Sequence, residues 1–186
     1  MKKLLFISFS MAFFFSCNNA EKTEAVVATT AVETPAVETP APVVNYPYQG
    51  TIASDLKIGN PQYTVKVLEM YKILEKGEAV DSLLLPYFAE NVTSIAFDEK
   101  EFKGPSAEWV KKVSNFRSQF KSLNEEFLTF VALRSDAKDL DLVSVWFKER
   151  VTRKNGKADS TLYQENWRFN KDGKIYYRTA FARYGF

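Results

Sequence analysis

Apolar and polar positions change rhythm twice along this chain. Leu4 to Phe15 is an apolar run broken only by Ser8 and Ser10, and Asn18 to Tyr46 has neither a helical nor a strand period. From residue 55 onward a helical rhythm comes first and an alternating one follows. Tyr63, Val67, Met70, Tyr71 and Leu74 recur at three- and four-residue spacing, which predicts a helix over 61–76. Asn60 is its cap, Pro61 suits its first position and Gly77 stops it. Residues 79–89 read as a shorter helical stretch whose Leu83-Leu84-Leu85 run packs inward until Pro86. Residues 91–97 are β-branched and apolar, a strand. Gly104-Pro105-Ser106 then precedes a third helix, in which Trp109, Val113, Phe116 and Phe120 make one buried face.

Four strands are predicted after that, at 127–133, 140–153, 158–169 and 174–184. Asn155-Gly156 is a two-residue hairpin signal, because both positions tolerate positive φ. Lys171-Asp172-Gly173 suits a three-residue turn with a glycine bulge. The register then follows by counting: Trp146 faces Glu165, Lys148 faces Tyr163, Trp167 meets Tyr177 and Glu165 meets Thr179. One sheet face is expected to carry Trp146, Tyr163, Glu165, Trp167, Tyr177 and Thr179, with Lys148 among them. The other is expected to carry Arg168, Arg178, Val143, Val145 and Phe147. A slip of one residue would exchange these faces. The fold class is α+β, an antiparallel meander with its helices on one side.

The first sixteen residues have the order of a secretory signal: Lys2-Lys3, the apolar run, then small Ser16 before Cys17. The run is shorter than the ~20 residues that span a bilayer as a helix. Cys17, the one cysteine of the chain, resembles the lipidated cysteine of a bacterial lipoprotein, although Phe14 stands where Leu is usual. Residues 17–54 read as a tether. Its near-repeat, Ala31 to Pro35 and Ala36 to Pro40, places Pro where both helix and sheet are defeated. The expectation is therefore a signal at 1–16, a lipid anchor at Cys17, a spacer to 54 and one domain over 55–186, held at the bacterial cell envelope and at the outer membrane sooner than the inner.

Charge adds an exclusion. The whole chain carries +2; setting aside Lys2, Lys3 and the tether's balance of −3 leaves +3 for the domain, too mild for a nucleic-acid footprint. A single cysteine forms no internal disulfide, so the domain rests on its core.

Tyr87-Phe88-Ala89-Glu90-Asn91-Val92 at the first strand, Lys103-Gly104-Pro105 before the third helix and Trp167 to Ile175 at the last hairpin resemble the nuclear transport factor 2-like, or SnoaL-like, superfamily over residues 61–184. The resemblance implies a curved antiparallel sheet forming a cone, with about three helices over its concave face. Members include isomerases, dehydratases and cyclases as well as proteins that only bind or dimerise. The catalytic ones usually work through Asp, His and Tyr. This chain has no histidine, the residue that most often moves protons near neutral pH.

Glu165 is the one carboxylate expected on the aromatic face, where burial would raise its pKa into a general base's range. The plainer alternative is a rim pair with Lys148. Tyr71 and Trp109 from the helices join Trp146, Tyr163, Trp167, Tyr177 and Thr179 as expected cavity lining. No metal or cofactor is implied: Asp136, Asp139 and Asp141 read as a solvated turn. The favoured expectation is a non-catalytic cone that binds a small apolar or amphipathic ligand, or a protein partner. The alternatives are an isomerase- or hydrolase-like enzyme using Glu165, and a structural module whose cone is filled and whose outer sheet face, through Val143, Val145 and Phe147, makes a homodimer.

Overall fold

The computed structural model describes residues 47, 48 and 50–184. The signal at 1–16, Cys17 and the tether up to 46 lie outside them.

The elements are β1 (Lys57–Ile58), α1 (Pro61–Lys76), α2 (Val80–Leu84) with a 3-10 turn (Leu85–Tyr87), β2 (Phe88–Ile95), β3 (Glu101–Pro105), α3 (Ser106–Arg117), β4 (Phe120–Ser135), β5 (Leu140–Arg153), β6 (Ala158–Phe169) and β7 (Ile175–Tyr184). Helix α1 has its expected bounds. The Asn60 side chain accepts from the Gln62 N–H at 2.9 Å, and left-handed Gly77 donates to the Ile73 carbonyl. It buries Thr64, Val67, Met70 and Tyr71. Of the three leucines expected to pack inward, only Leu84 does; Leu83 and Leu85 are exposed, because α2 is a single turn with one buried side.

Helix α3 ends at Arg117, so Phe120 opens β4 instead of extending a helical stripe, and Phe116 is exposed. Arg117 is buried where it closes the end of α1. Its Nε donates to the Leu74 carbonyl, Nη2 to that of Glu75 and Nη1 to that of Phe120, the last two at 3.1 Å. Two strands were unforeseen, β1 and β3.

The seven strands form one curved, unclosed sheet in the order β1-β4-β5-β6-β7-β2-β3, antiparallel except where β2 joins β7 in parallel. Helices α1 and α3 cover its concave face, and the core runs between them through Val67, Met70, Trp109, Val110, Val143, Val145, Phe147, Trp167 and Ile175.

The register corrects the expected faces. The β5–β6 loop has three residues, with Arg153 N–H bonded to the Lys157 carbonyl at 2.8 Å and Gly156 at φ 85°. Val145 therefore faces Glu165, Phe147 faces Tyr163, and Trp146 faces Gln164. Val143, Val145 and Phe147 are core residues, not a dimer face. Trp146 and Lys148 lie on the convex side. The β6–β7 turn is the three-residue one expected, with Asn170 N–H bonded to the Lys174 carbonyl, but an extra residue in β7 follows it. Phe169 pairs with Ile175 while Arg168 pairs with Tyr177, leaving Tyr176 as a bulge. Beyond it Trp167 faces Arg178 and Glu165 faces Ala180. Tyr177 and Thr179 thus point away from the cone, the first under the Arg168 guanidinium at 4.3 Å, the second 3.4 Å from Asn166 Nδ2.

Candidate functional site

The helices leave the concave face partly uncovered, and the space between is a cavity of about 510 Å³. Its sheet wall is Glu125, Phe147, Glu149, Tyr163, Glu165, Trp167 and Arg178; its helix wall is Tyr71, Leu74, Trp109 and Val113. Phe97, Lys100, Phe102, Lys112 and Phe116 form the mouth. Toward the closed end, Met70, Leu84, Phe88 and Trp109 pack closely, leaving a void of only about 20 Å³.

Five of the eight side chains expected to line the site meet here: Tyr71, Trp109, Tyr163, Glu165 and Trp167. Trp146, Tyr177 and Thr179 do not, for the register reasons given above. Sequence reasoning missed Glu125, Glu149 and Arg178. Glu149 and Arg178 stand in strands of correct extent and become visible once the register is counted with a three-residue loop and a bulge. Glu125 sits in the polar first half of β4, ahead of the strand start expected at residue 127.

Glu165 is fully engaged. Its Oε2 accepts from the Tyr71 hydroxyl at 2.7 Å and from Arg178 Nε at 3.0 Å, while Oε1 accepts from Arg178 Nη2. This is the bidentate fork that suits guanidinium and carboxylate. Arg178 Nη1 also reaches Ser94 Oγ at 3.3 Å, and its guanidinium lies 5.3 Å from the centre of the Trp167 ring. The Glu165–Lys148 pair is replaced by this one. Burial opposes the charge on Arg178, yet Glu165 beside it holds the guanidinium above its ordinary value. Burial, then the Glu165 charge, pushes the Tyr71 hydroxyl well above the usual phenol range.

Glu125 and Glu149 differ in kind. They are cross-strand partners on the cavity face. Burial, with Glu149, Glu165 and Glu75 behind it, pushes Glu125 up to about 10. Burial and then Glu165 push Glu149 up to about 7, with Arg178 and a hydrogen bond from Glu125 pulling the other way. The Glu125 backbone N–H is held by Glu75 Oε1 at 2.9 Å, but its own Oε2 is buried and accepts from no donor. A proton on Glu125 removes that cost by turning the acid into a donor toward Glu149. Glu125 therefore holds the pair's last proton, and Glu149 exchanges its own near neutrality. Trp167 Nε1 is a second buried group in this wall without a partner.

Among the described residues no group of three or more His, Cys, Asp or Glu side chains is placed to hold a metal ion. Asp136, Asp139 and Asp141 gather around the Arg134 guanidinium at 2.7 to 3.2 Å.

No protein-family model and no curated protein matches the chain. Solved structures do. A protein of unknown function from Exiguobacterium sp. 255-15, described as NTF2-like, superposes with a TM-score of 0.52 at 16% identity, over 63% of this chain and 98% of its own. The fold is that of the nuclear transport factor 2-like proteins. SalBIII, an epoxide hydrolase/cyclase-like enzyme in pyran ring formation in salinomycin, gives 0.51 at 17% identity, over 66% of this chain and 91% of its own. AusH from Aspergillus nidulans gives 0.54 at 12%, over 68% and 87%. At such identities the nuclear transport factor 2-like cone is shared as architecture, and chemistry has to be argued from the cavity itself.

Proposed function

We propose that this chain is a lipid-anchored envelope protein whose cone binds a small amphipathic molecule without transforming it. The observation that supports it is the cavity: about 510 Å³, open at one end, walled by aromatic rings with a few polar groups among them. That is the size and character of a small-molecule site. Glu165, the expected base, is tied on both oxygens and poorly free to take a proton from a substrate. The tether and Cys17 supply the membrane partner in this reading.

The test uses N-phenyl-1-naphthylamine, a neutral amphipathic dye that brightens when it leaves water. Ala96, beside Phe97, also lines the cavity, and saturable one-to-one binding that is lost when Ala96→Trp puts a large ring there is the expected result. Dye that stays dark at every protein concentration would sink the reading.

A second reading, a proton-transfer enzyme, is favoured by one observation, the displacement of Glu149 to about 7, where a general base works best at neutral pH. Glu149 takes the place of Glu165 in that version. Turnover that vanishes in Glu149→Gln while ligand affinity persists would favour it over simple binding.

A further inference from the structure

We infer that the ligand of this cavity carries a protonated amine, received by the paired carboxyls of Glu125 and Glu149. This rests on the reading of the cone as a binding site and names the chemistry of what binds. Four acids line the cavity, Glu101 at its exposed rim on β3 and Glu125, Glu149 and Glu165 deeper on the sheet wall, where the one cation is Arg178. Arg178 is spent on Glu165 through both of its carboxylate oxygens. Of the lysines at the mouth, Lys100 is paired with Asp98 and Lys112 lies over the Phe102 ring at 5.8 Å. Neither lysine is committed to Glu125 or Glu149, so the pair's charge is left for a ligand to meet.

Glu125 is 9% exposed, and its Oε2 meets no donor. The proton on Glu149 fills a place that a positive charge would fill better. An ammonium donates up to three hydrogen bonds, enough for both carboxyls, and holds Glu149 ionised while Glu125 keeps its proton. The rings of Phe147 and Tyr163, stacked at 5.3 Å, stand on the same wall and suit the cation's apolar body.

The groups that face the pair set the pH dependence. Glu165 and Glu75 repel its charge, Arg178 draws it, and the Tyr163 and Tyr184 hydroxyls lie within its field. Binding of an ammonium releases one proton over the range in which Glu149 would otherwise hold it. Affinity for an amine therefore rises with pH by about tenfold per unit below neutrality and levels above it.

The experiment displaces N-phenyl-1-naphthylamine from the full chain, carrying Cys17→Ser so that no detergent is needed. The two competitors are 2-naphthylmethylamine and its neutral isostere 2-naphthylmethanol. The expected result at pH 8 is a preference of about tenfold or more for the amine, the scale of one charge-assisted hydrogen bond. That preference narrows toward pH 6 and is lost in Glu149→Gln. Calorimetry at pH 6 in two buffers of different ionisation enthalpy should show proton release with the amine and none with the alcohol; this readout needs no variant and stands if Glu149→Gln does not fold. Equal affinity for amine and alcohol overturns the inference and leaves the cone reading intact. A preference unchanged in folded Glu149→Gln overturns the assignment to this pair. Failure of the dye itself to bind overturns both.

Discussion

The guanidinium of Arg117 occupies the space that a side chain on Gly77 would need: a Cβ there would lie 2.5 Å from Nη2. Gly77 also sits at φ 73°, where side chains are strained. Gly77→Ala is expected to cost about 2 kcal/mol, the left-handed penalty plus displacement of the guanidinium. Arg117→Ala is expected to cost about 2–3 kcal/mol, because it strands the carbonyls of Leu74, Glu75 and Phe120. The double variant should lose less than the sum, since removing the guanidinium makes room for the added methyl group. Urea denaturation of the three variants measures this, and strict additivity would count against the steric argument.

Arg178 and Glu165 should behave as a buried pair. Arg178→Met leaves Glu165 without its cation and is expected to cost about 3–5 kcal/mol. Arg178→Met with Glu165→Gln should recover much of that loss, because the stranded charge is gone. A single variant within about 1 kcal/mol of the parent in chemical denaturation would mean that water already screens the pair.

Stability should fall as pH rises from weakly acid to weakly alkaline. Glu125 and Glu149 have folded pKa values above their unfolded ones, so the folded state holds more protons than the unfolded chain between those values. Their contribution is complete below the unfolded value and lost as pH climbs through about 7 for Glu149 and about 10 for Glu125. The slope approaches about 1.4 kcal/mol per pH unit for each proton. Asp136, held low by Lys57, and Asp139, held low by Arg134, act oppositely and lose their contribution only in strong acid. Thermal melts at pH 5, 7 and 9 should therefore fall in that order, and Glu125→Gln should flatten the series. A profile that rises toward pH 9 would contradict the proton on Glu125.

Cys17→Ser should move the protein from the membrane fraction to the soluble one. The acyl chains of a bacterial lipoprotein anchor it at ~0.8 kcal/mol per buried CH₂. Fractionation of cells expressing either form decides it, and retention of the serine form would remove the lipid anchor.

How far the sequence could be read varied with the physics of each part. Helix α1 was legible to the residue because its apolar period, its Asn60-Pro61 start and its Gly77 stop all agree. Strands β5 and β6 were equally clear from alternation between turn residues. Strand β3 was not, since Gly104-Pro105 reads as a turn and only pairing with β2 makes it a strand. The first half of β4 is polar and gained its strand from β5, so Glu125 stayed hidden. The faces failed for a narrower reason: Asn155-Gly156 serves a two- or a three-residue loop, and nothing local announces a bulge at Tyr176.

That bulge decides whether the cone is hollow. A regular β7 continuing from Ile175 would turn Tyr177, Thr179 and Phe181 toward the helices, and their side chains would occupy the space where a ligand could lie. The one unpaired residue instead sends Arg178, Ala180 and Ala182 inward, opposite Trp167, Glu165 and Tyr163. The hollow in this protein is thus a matter of phase: two alanines stand where the other alternation of the same strand would have put a threonine and a phenylalanine.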